Sequence, residues 1–308
     1  MLFSSLSLTL VTYVTTLIAM AFFTLLERKI LGYIQLRKGP NKVSLSGIPQ
    51  PFADAVKLFT KELNKPTLAN TLPFIFAPTM GLFLALIMWI LYPHSINPLF
   101  MKWGILLFLC ISSMNVYTTL ISGWSSNSKY SLLGALRSIA QTISYEVSMA
   151  LIILTPLMIM YSLSFNIYFY NQVTPSILVM WPIAIIWFIS CLAETNRTPF
   201  DLAEGESELV SGFNTEYSSG TFALIFMAEY TNILVMSMLT AALFFTCSPI
   251  ELLKDFSMII MTMILSIMFL WARGAFPRMR YDKLMALTWK QFLPASIMFI
   301  MLASVMCS

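Results

Sequence analysis

Eight separate stretches of this chain are long and apolar enough to cross a lipid bilayer, and that feature restricts its fold more than any other. They run roughly 3–26, 72–92, 99–122, 138–160, 175–193, 221–246, 256–272 and 291–307. A helix needs ~20 residues to span ~30 Å of hydrocarbon. In lipid each backbone N–H and C=O must find its partner inside the segment, so each stretch is expected to be helical. Only 10% of the residues are charged and 58% are hydrophobic, whereas a water-soluble domain carries about 25% charged residues. The sequence therefore predicts an all-α integral membrane protein of about eight transmembrane helices, with residues 1–308 forming a single membrane domain. Pro156 and Pro182 are tolerable, because neighbouring helices can satisfy the carbonyls they free. No internal repeat or low-complexity segment is visible. No cleavable targeting segment is expected either: the N-terminus lacks a positive leader, and Leu6 to Leu26 is itself long enough to span.

The basic residues sort by side. With eight spans, sixteen of the eighteen Lys and Arg fall on the side of the odd-numbered loops, leaving only Lys102 and Lys254 opposite. The positive-inside rule then puts the odd loops in the matrix or cytoplasm and both termini on the other side. A net charge of +4 gives no case for nucleic acid. Cys110, Cys191, Cys247 and Cys307 are scattered through apolar sequence without a CxxC pair, so they read as buried small hydrophobes and not as cluster or zinc ligands. His94 sits in a Pro-flanked loop and reads as surface decoration. The 22 Met are either flexible apolar filler or the mark of a mitochondrial genetic code.

Several polar features stand out against this background. In the first long loop, Phe52, Val56, Phe59 and Leu63 recur at helical spacing, with Asp54, Lys57 and Lys61 on the other face. That predicts an amphipathic surface helix over about 51–63, with Pro51 suited to its first turn. Its mixed charge fits a partner protein or a roofed cavity better than a bare headgroup layer. The fifth loop reverses the sign: Glu194, Asp201, Glu204, Glu206, Glu208 and Glu216 crowd 23 residues that hold one base, Arg197. Three readings stay open for it: a solvated acidic loop, a calcium loop (although the spacing is not that of an EF-hand), or carboxylates that titrate as a coupled group and carry protons. Glu229 lies inside the sixth span, Glu146 inside the fourth, and Glu27 closes the first. A charge at mid-bilayer costs ~2.5–3.5 kcal/mol on insertion scales, so such residues are rare and usually functional. Arg137, Gln141 and Tyr145, with Ser138, Thr142 and Glu146 beside them, form a polar stripe on the fourth span. The stripe suits either helix–helix hydrogen bonding or a hydrated ion path. The seventh loop, WARGAFPRMRYDKLMALTWKQFLP, reads as a basic, aromatic topology anchor, except that Arg273 closes an apolar run and is placed to point inward. No nucleotide-binding loop, Ser/His/Asp set or HExxH is present.

ERKILGYIQLRKGPNKV and QPFADAVKLFTKE, followed by GALRSIAQTISYE, AETNRTPFDLAEGESELVSGFNTEYSSGTFALIFMAEYTN and RGAFPRMRYDKLMALTWKQFLP, resemble the loop motifs of subunit 1 of the proton-pumping NADH:quinone oxidoreductases, respiratory complex I. The likeness covers about residues 24–295 in the family's order; one departure is Ser44, where Gly is expected. The resemblance implies a membrane-arm subunit that holds part of the ubiquinone access chamber and starts the charged path coupling quinone reduction to proton translocation. It implies that Glu27, Arg28, Arg37, Asp54, Lys57 and Arg273 border the chamber. Glu146, Glu194, Asp201, Glu204, Glu206, Glu229 and Tyr230 would form the proton path. No catalytic residue in the strict sense and no metal or cofactor is expected on this chain. Ubiquinone is the substrate, and FMN and iron–sulfur clusters belong to partner subunits. Expected partners are the other membrane-arm subunits, the peripheral-arm subunits of the quinone site and membrane lipids. The compact loops, the Met excess and the closeness of the motifs point to the mitochondrial inner membrane. The rival class is a secondary ion or proton transporter, which also uses buried carboxylates, although the internal repeats usual in transporters are missing.

Overall fold

The computed structural model describes residues 2–43, 45–93, 101–172, 174–246 and 251–307; Ser44, His94 and Cys247 lie outside them. The described residues form helices α1 (Leu2–Ile34), α2 (Gln50–Thr60), α3 (Thr71–Met88), α4 (Gly104–Ser125), α5 (Lys129–Met160) and α6 (Phe165–Asn171). They continue with α7 (Ile177–Glu194), α8 (Glu206–Leu209), α9 (Ser219–Thr240), α10 (Glu251–Ala275), α11 (Tyr281–Leu287) and α12 (Leu293–Cys307). Eight helical segments among them are long and apolar enough to cross a membrane, matching the eight expected spans. Where the boundaries differ, the reason is length. Helix α1 has 33 residues and α5 has 32, so each is ~50 Å long and overshoots a ~30 Å hydrocarbon core by several turns. The polar start of the fourth run, Lys129–Arg137, is such an overhang, and so is the segment of α1 that carries Glu27 and Arg28. Hydropathy marks only the lipid-embedded part of a helix and cannot find these extensions. The last span is longer for another reason: α11 runs through a π-helix, Thr288–Phe292, into α12.

Two spans are irregular near the face opposite the basic loops. Helix α7 contains Pro182 and breaks helical geometry at Met180 (φ −121°, ψ 36°), just N-terminal to the proline, as the missing N–H and the ring's clash require. Helix α9 ends in a π-helix, Ala241–Phe245. One carbonyl there, that of Leu243, accepts from both Tyr168 Oη (2.8 Å) and Ser176 Oγ (2.6 Å). Neighbouring side chains thus satisfy backbone that lipid could not.

Ion pairs and hydrogen bonds test the topology independently of hydropathy. Arg28–Asp54 lies within the first loop region, Arg137–Glu208 joins the third to the fifth, Arg273–Glu27 the seventh to the first, and Arg278–Asp201 the seventh to the fifth. On the other side Lys254 donates to the carbonyl of Tyr170, so the fourth and sixth loops meet each other. A span added or lost in mid-chain would separate these partners by the full membrane thickness.

The core runs between α5, α7 and α9, where Tyr145, Met149, Cys191 and Met238 are buried. Two of the glycines at close backbone approaches join α5 to the acidic loop. A Cβ on Gly134 of α5 would lie 2.9 Å from the backbone of Gly212, and Gly212 itself (φ +57°) sits against the carbonyl of Ala203. The acidic loop therefore lies directly on α5.

Candidate functional site

The acidic loop is held in place from beneath. Gln141, fully buried on α5, donates its amide to the carbonyls of Ala193 (3.1 Å) and Phe200 (2.8 Å). Ser138 and Thr142 spend their hydroxyl protons on their own helix. In this part of the polar stripe the Gln141 amide N–H groups bind the loop, and the Ser138 and Thr142 hydroxyls donate within α5. Glu146 is half-buried beyond them. Arg137, at the exposed end, pairs with Glu208 at 2.7 Å.

The strongest concentration of buried charge lies where α1, α9, α10 and the fifth loop converge. Glu27 is 4% exposed. It is paired with Arg273, accepts a hydrogen bond from Tyr230 Oη at 2.5 Å, and has Arg197 Nη1 at 3.9 Å. Arg197 also turns Nη2 toward Glu229 at 3.7 Å. Its guanidinium lies 4.7 Å from the centroid of the Tyr230 ring, a cation–π arrangement. Burial works against the Arg197 charge, but the fields of Glu229, Tyr230, Glu27 and Glu204 outweigh it and raise its pKa above the ordinary arginine value. Ionised carboxylates at this depth persist only when paired and hydrogen-bonded, and one arginine shared between two glutamates meets that need.

The remaining acids extend the cluster in two directions. Glu204 accepts from Asn214 Nδ2 at 3.2 Å, and its backbone N–H donates to Asp201 (3.3 Å), which pairs with Arg278 at 3.1 Å. Glu229 feels the fields of Glu204, Asp201, Arg197 and Arg273, and Glu194 feels that of Glu146. Glu229 and Glu194 both line a chamber of about 70 Å³, with Asn115, Thr118, Ser122, Asn196 and Asn232 among its polar walls and Ala77, Phe213, Ile225 and Ala228 among its apolar ones.

Of the residues singled out from the sequence, the structure thus gathers Glu27, Arg273, Tyr230, Glu229, Glu204, Asp201, Glu194 and Glu146 around one connected region. The side chain of Glu206 lies outside the described residues. Arg28 and Asp54 pair at 2.6 Å and tie α2 to α1, and Gln50 Nε2 donates to Asp54 at 3.1 Å. Helix α2 lies across α1 and α9, with Phe22 and Phe52 ring centroids 5.9 Å apart. It ends at Thr60, so Glu62 and Leu63 fall beyond it. Arg37 and Lys57 are exposed and join no ion pair among the described residues. Sequence reasoning noticed Arg197 as the lone base among six acids but gave it no role. It gave no role to Arg278, Asn115 or Asn214, whereas Asn232 was expected on the face of Glu229 and lines the chamber with it. A face at i, i+3, i+4 and i+7 on α4 (Asn115, Thr118, Thr119, Ser122) was the available signal. No group of three or more His, Cys, Asp or Glu among the described residues could hold a metal ion.

The profile of the family described as NADH dehydrogenase matches residues 7–304. Curated relatives named NADH-ubiquinone oxidoreductase chain 1 align over nearly the whole chain. The protein from Aedes aegypti is 54% identical over 288 residues, covering 93% of this chain and 91% of its own. That from Heterololigo bleekeri is 53% identical over 289 residues (94% and 92%), and that from Phascolarctos cinereus 54% over 288 (92% and 90%). By the profile match and the identity to these relatives, the chain belongs to the NADH dehydrogenase family, with the NADH-ubiquinone oxidoreductase chain 1 proteins.

Proposed function

We propose that this chain is the membrane-arm subunit of complex I in which the quinone chamber meets the start of the proton path. Glu27, Arg28, Arg37, Asp54, Lys57 and Arg273 border the chamber, with α2 as part of its roof. Asp201, Glu204, Glu206, Glu229, Tyr230, Glu194 and Glu146 carry the coupling. The observation behind this reading is a shared side chain: Glu27 is bonded both to Arg273, on the chamber side, and to Tyr230, beside Arg197 and Glu229. Quinone reduction consumes two electrons and two protons, so it imposes a charge demand at the chamber. A buried network of hydrogen-bonded carboxylates answers such a demand at a distance, because low dielectric strengthens every link in it. The electrons come from FMN and iron–sulfur clusters on partner subunits, and the headgroup's redox-proximal ligands belong to the peripheral arm. The chain assembles with other complex I subunits and lipid in the mitochondrial inner membrane as a multi-pass protein, with ubiquinone as substrate.

Glu229→Gln in the assembled complex tests this. The substitution keeps the shape and removes the titrating group. Assembly and electron flow from NADH to an artificial acceptor should persist, while quinone-linked NADH oxidation and proton pumping are largely lost. Full pumping in the assembled variant would remove Glu229 from the path.

A further inference from the structure

Arg197 and Arg273 converge on Glu27 from two different loops, so the spacing of their charges depends on how those loops are joined. We propose that Arg278 is a positioning residue for this junction. It latches the segment 273–279 of the seventh loop onto residues 198–201 of the fifth, so that one bracket carries both guanidinium groups. This rests on the reading of Glu27 and Arg273 as the border of the quinone chamber.

Both ends of 273–279 are fastened to the same short stretch of the fifth loop. At one end Thr198 Oγ1 donates to the carbonyl of Arg273 at 3.4 Å. At the other, the Met279 N–H donates to the carbonyl of Pro199 at 2.9 Å, and Arg278 Nη2 donates to Asp201 Oδ2 at 3.1 Å. Between these points Gly274 packs on α1. A Cβ there would lie 2.8 Å from Ile34 Cδ1 and 3.5 Å from Leu31 Cδ2. The segment therefore joins α1, which carries Glu27, to the fifth loop, which carries Arg197.

The fifth-loop half of the bracket is itself fixed. The Arg197 N–H donates to the carbonyl of Leu192 at the end of α7 (3.2 Å), and the Arg197 carbonyl accepts from the Phe200 N–H (2.8 Å). Gln141 ties the Phe200 carbonyl to α5. Asp201 accepts the Glu204 N–H on Oδ1 and the Arg278 guanidinium on Oδ2. Of the fastenings on 273–279, the ionic one is the strongest, because hydrogen bonds between charged groups are roughly twice as strong as neutral ones. Its two side chains are 22% and 13% exposed, so solvent screens it only in part. The Thr198 bond is long, and the Met279 bond alone would leave the segment a pivot. Loss of the Arg278 charge would free the end of the bracket and let Arg273 drift from Glu27.

The test uses the assembled complex with Arg278→Met, Arg278→Lys, Arg273→Met and the double variant Arg273→Met/Arg278→Met. Each is scored for assembly, artificial-acceptor activity, and KM and kcat with a short-tailed ubiquinone. Arg278→Met should assemble, keep artificial-acceptor activity and raise the quinone KM about five-fold or more. Arg278→Lys should return KM to within about two-fold of the unsubstituted complex, because an ammonium can make the single-nitrogen contact with Asp201. In the Arg273→Met background, Arg278→Met should change KM by less than about two-fold, since the group it positions is gone. An unchanged KM in Arg278→Met, no recovery in Arg278→Lys, or losses that add in the double variant would each overturn the proposal. If Arg278→Met does not assemble, Arg278→Gln takes its place with the same expectations, and failure of both to assemble would mark the residue as packing and overturn it too. If Arg273→Met impairs quinone turnover while Arg278→Met does not, the latch fails alone; if Arg273→Met leaves KM and kcat unchanged, the underlying reading fails first.

Discussion

Replacing Arg197 with Met would withdraw one positive charge from two carboxylates at once. Its side chain is 8% exposed, that of Glu27 5% and that of Glu229 21%, so solvent screens little of the loss. The separations are 3.9 and 3.7 Å. Breaking a buried pair by removing one partner costs ~3–5 kcal/mol, because the other charge stays buried without compensation. That is about a 10²- to 10⁴-fold shift in any equilibrium that depends on the intact pairing. The pair relieves the strain by taking up a proton, which fixes the network in one state and takes away the change of state that coupling requires. Quinone-linked NADH oxidation should fall by about 10²-fold or more, with artificial-acceptor activity unchanged and heat inactivation of the assembled complex shifted to lower temperature. Arg197→Lys keeps the charge but not the planar fork that reaches both glutamates while lying over the Tyr230 ring, so its effect should be intermediate. The Arg197 guanidinium itself should stay charged throughout the working range, so any pH dependence of the pairing comes from the carboxyls. Its pKa lies above the ordinary arginine value, so stability from its charge is fully present below that value and is lost only as pH rises beyond it. A double-mutant cycle with Glu229→Gln should show a coupling of ~0.5–3 kcal/mol in heat stability. Strict additivity, or an Arg197→Met complex with normal turnover and heat resistance, would refute the assignment.

Two further substitutions probe how the acidic loop is seated. Gly212→Ala would place a Cβ 1.7 Å from the carbonyl oxygen of Ala203 at φ +57°; the left-handed backbone alone costs ~1–2 kcal/mol, and the overlap forces the loop off α5. The expected result is faster proteolysis between residues 200 and 216 in the isolated complex, together with reduced assembly, and a protection pattern unchanged from the unsubstituted complex would contradict the close seating. Gln141→Leu would leave the carbonyls of Ala193 and Phe200 without their donor, at ~1–3 kcal/mol each. Its heat inactivation should move to lower temperature while turnover per assembled complex stays close to normal; unchanged heat resistance would show that these bonds contribute nothing.

The spans were legible in the sequence because lipid leaves an apolar chain almost no choice: eight runs became eight helices. The boundaries at Glu27 and Lys129 were not, because hydropathy stops at the edge of the hydrocarbon while α1 and α5 continue past it as helix. Helix α2 was readable from its i, i+3, i+4 apolar spacing, and its stop at Thr60 was not, since Lys61 turns extended (φ −72°, ψ 142°) without a glycine or proline to announce it. The unusual acids were visible one by one as charges in the wrong place. Their pairing was invisible: Tyr230 is 203 residues from Glu27 and Arg273 is 246 residues from it, and no local pattern encodes contacts of that range. Gln141 and Asn115 illustrate the remaining ambiguity. Both are polar residues on membrane helices, one spent on backbone carbonyls and the other on a chamber wall, and only the packing of other segments decides which is which.

That packing also produces a gradient of solvent access along the charged cluster. Arg273 is 33% exposed, Glu27 and Arg197 are 5% and 8% exposed, and Glu229 rises again to 21% beside the chamber. Exposure in this chain is thus lowest at Glu27 and Arg197, in the middle of the network. In water two unit charges 4 Å apart interact by ~1 kcal/mol, and at an effective dielectric of 20 by ~4 kcal/mol. A change in charge near Arg273 is therefore felt weakly in bulk solvent but strongly by Glu27, and through Arg197 by Glu229. Water throughout would screen the signal, and dryness throughout would leave no route for a proton to enter or leave. On the proposed reading, a desolvated link of two carboxyls around one arginine would let a chemical event at one side set the protonation of a carboxyl at the other without any side chain crossing the distance between them.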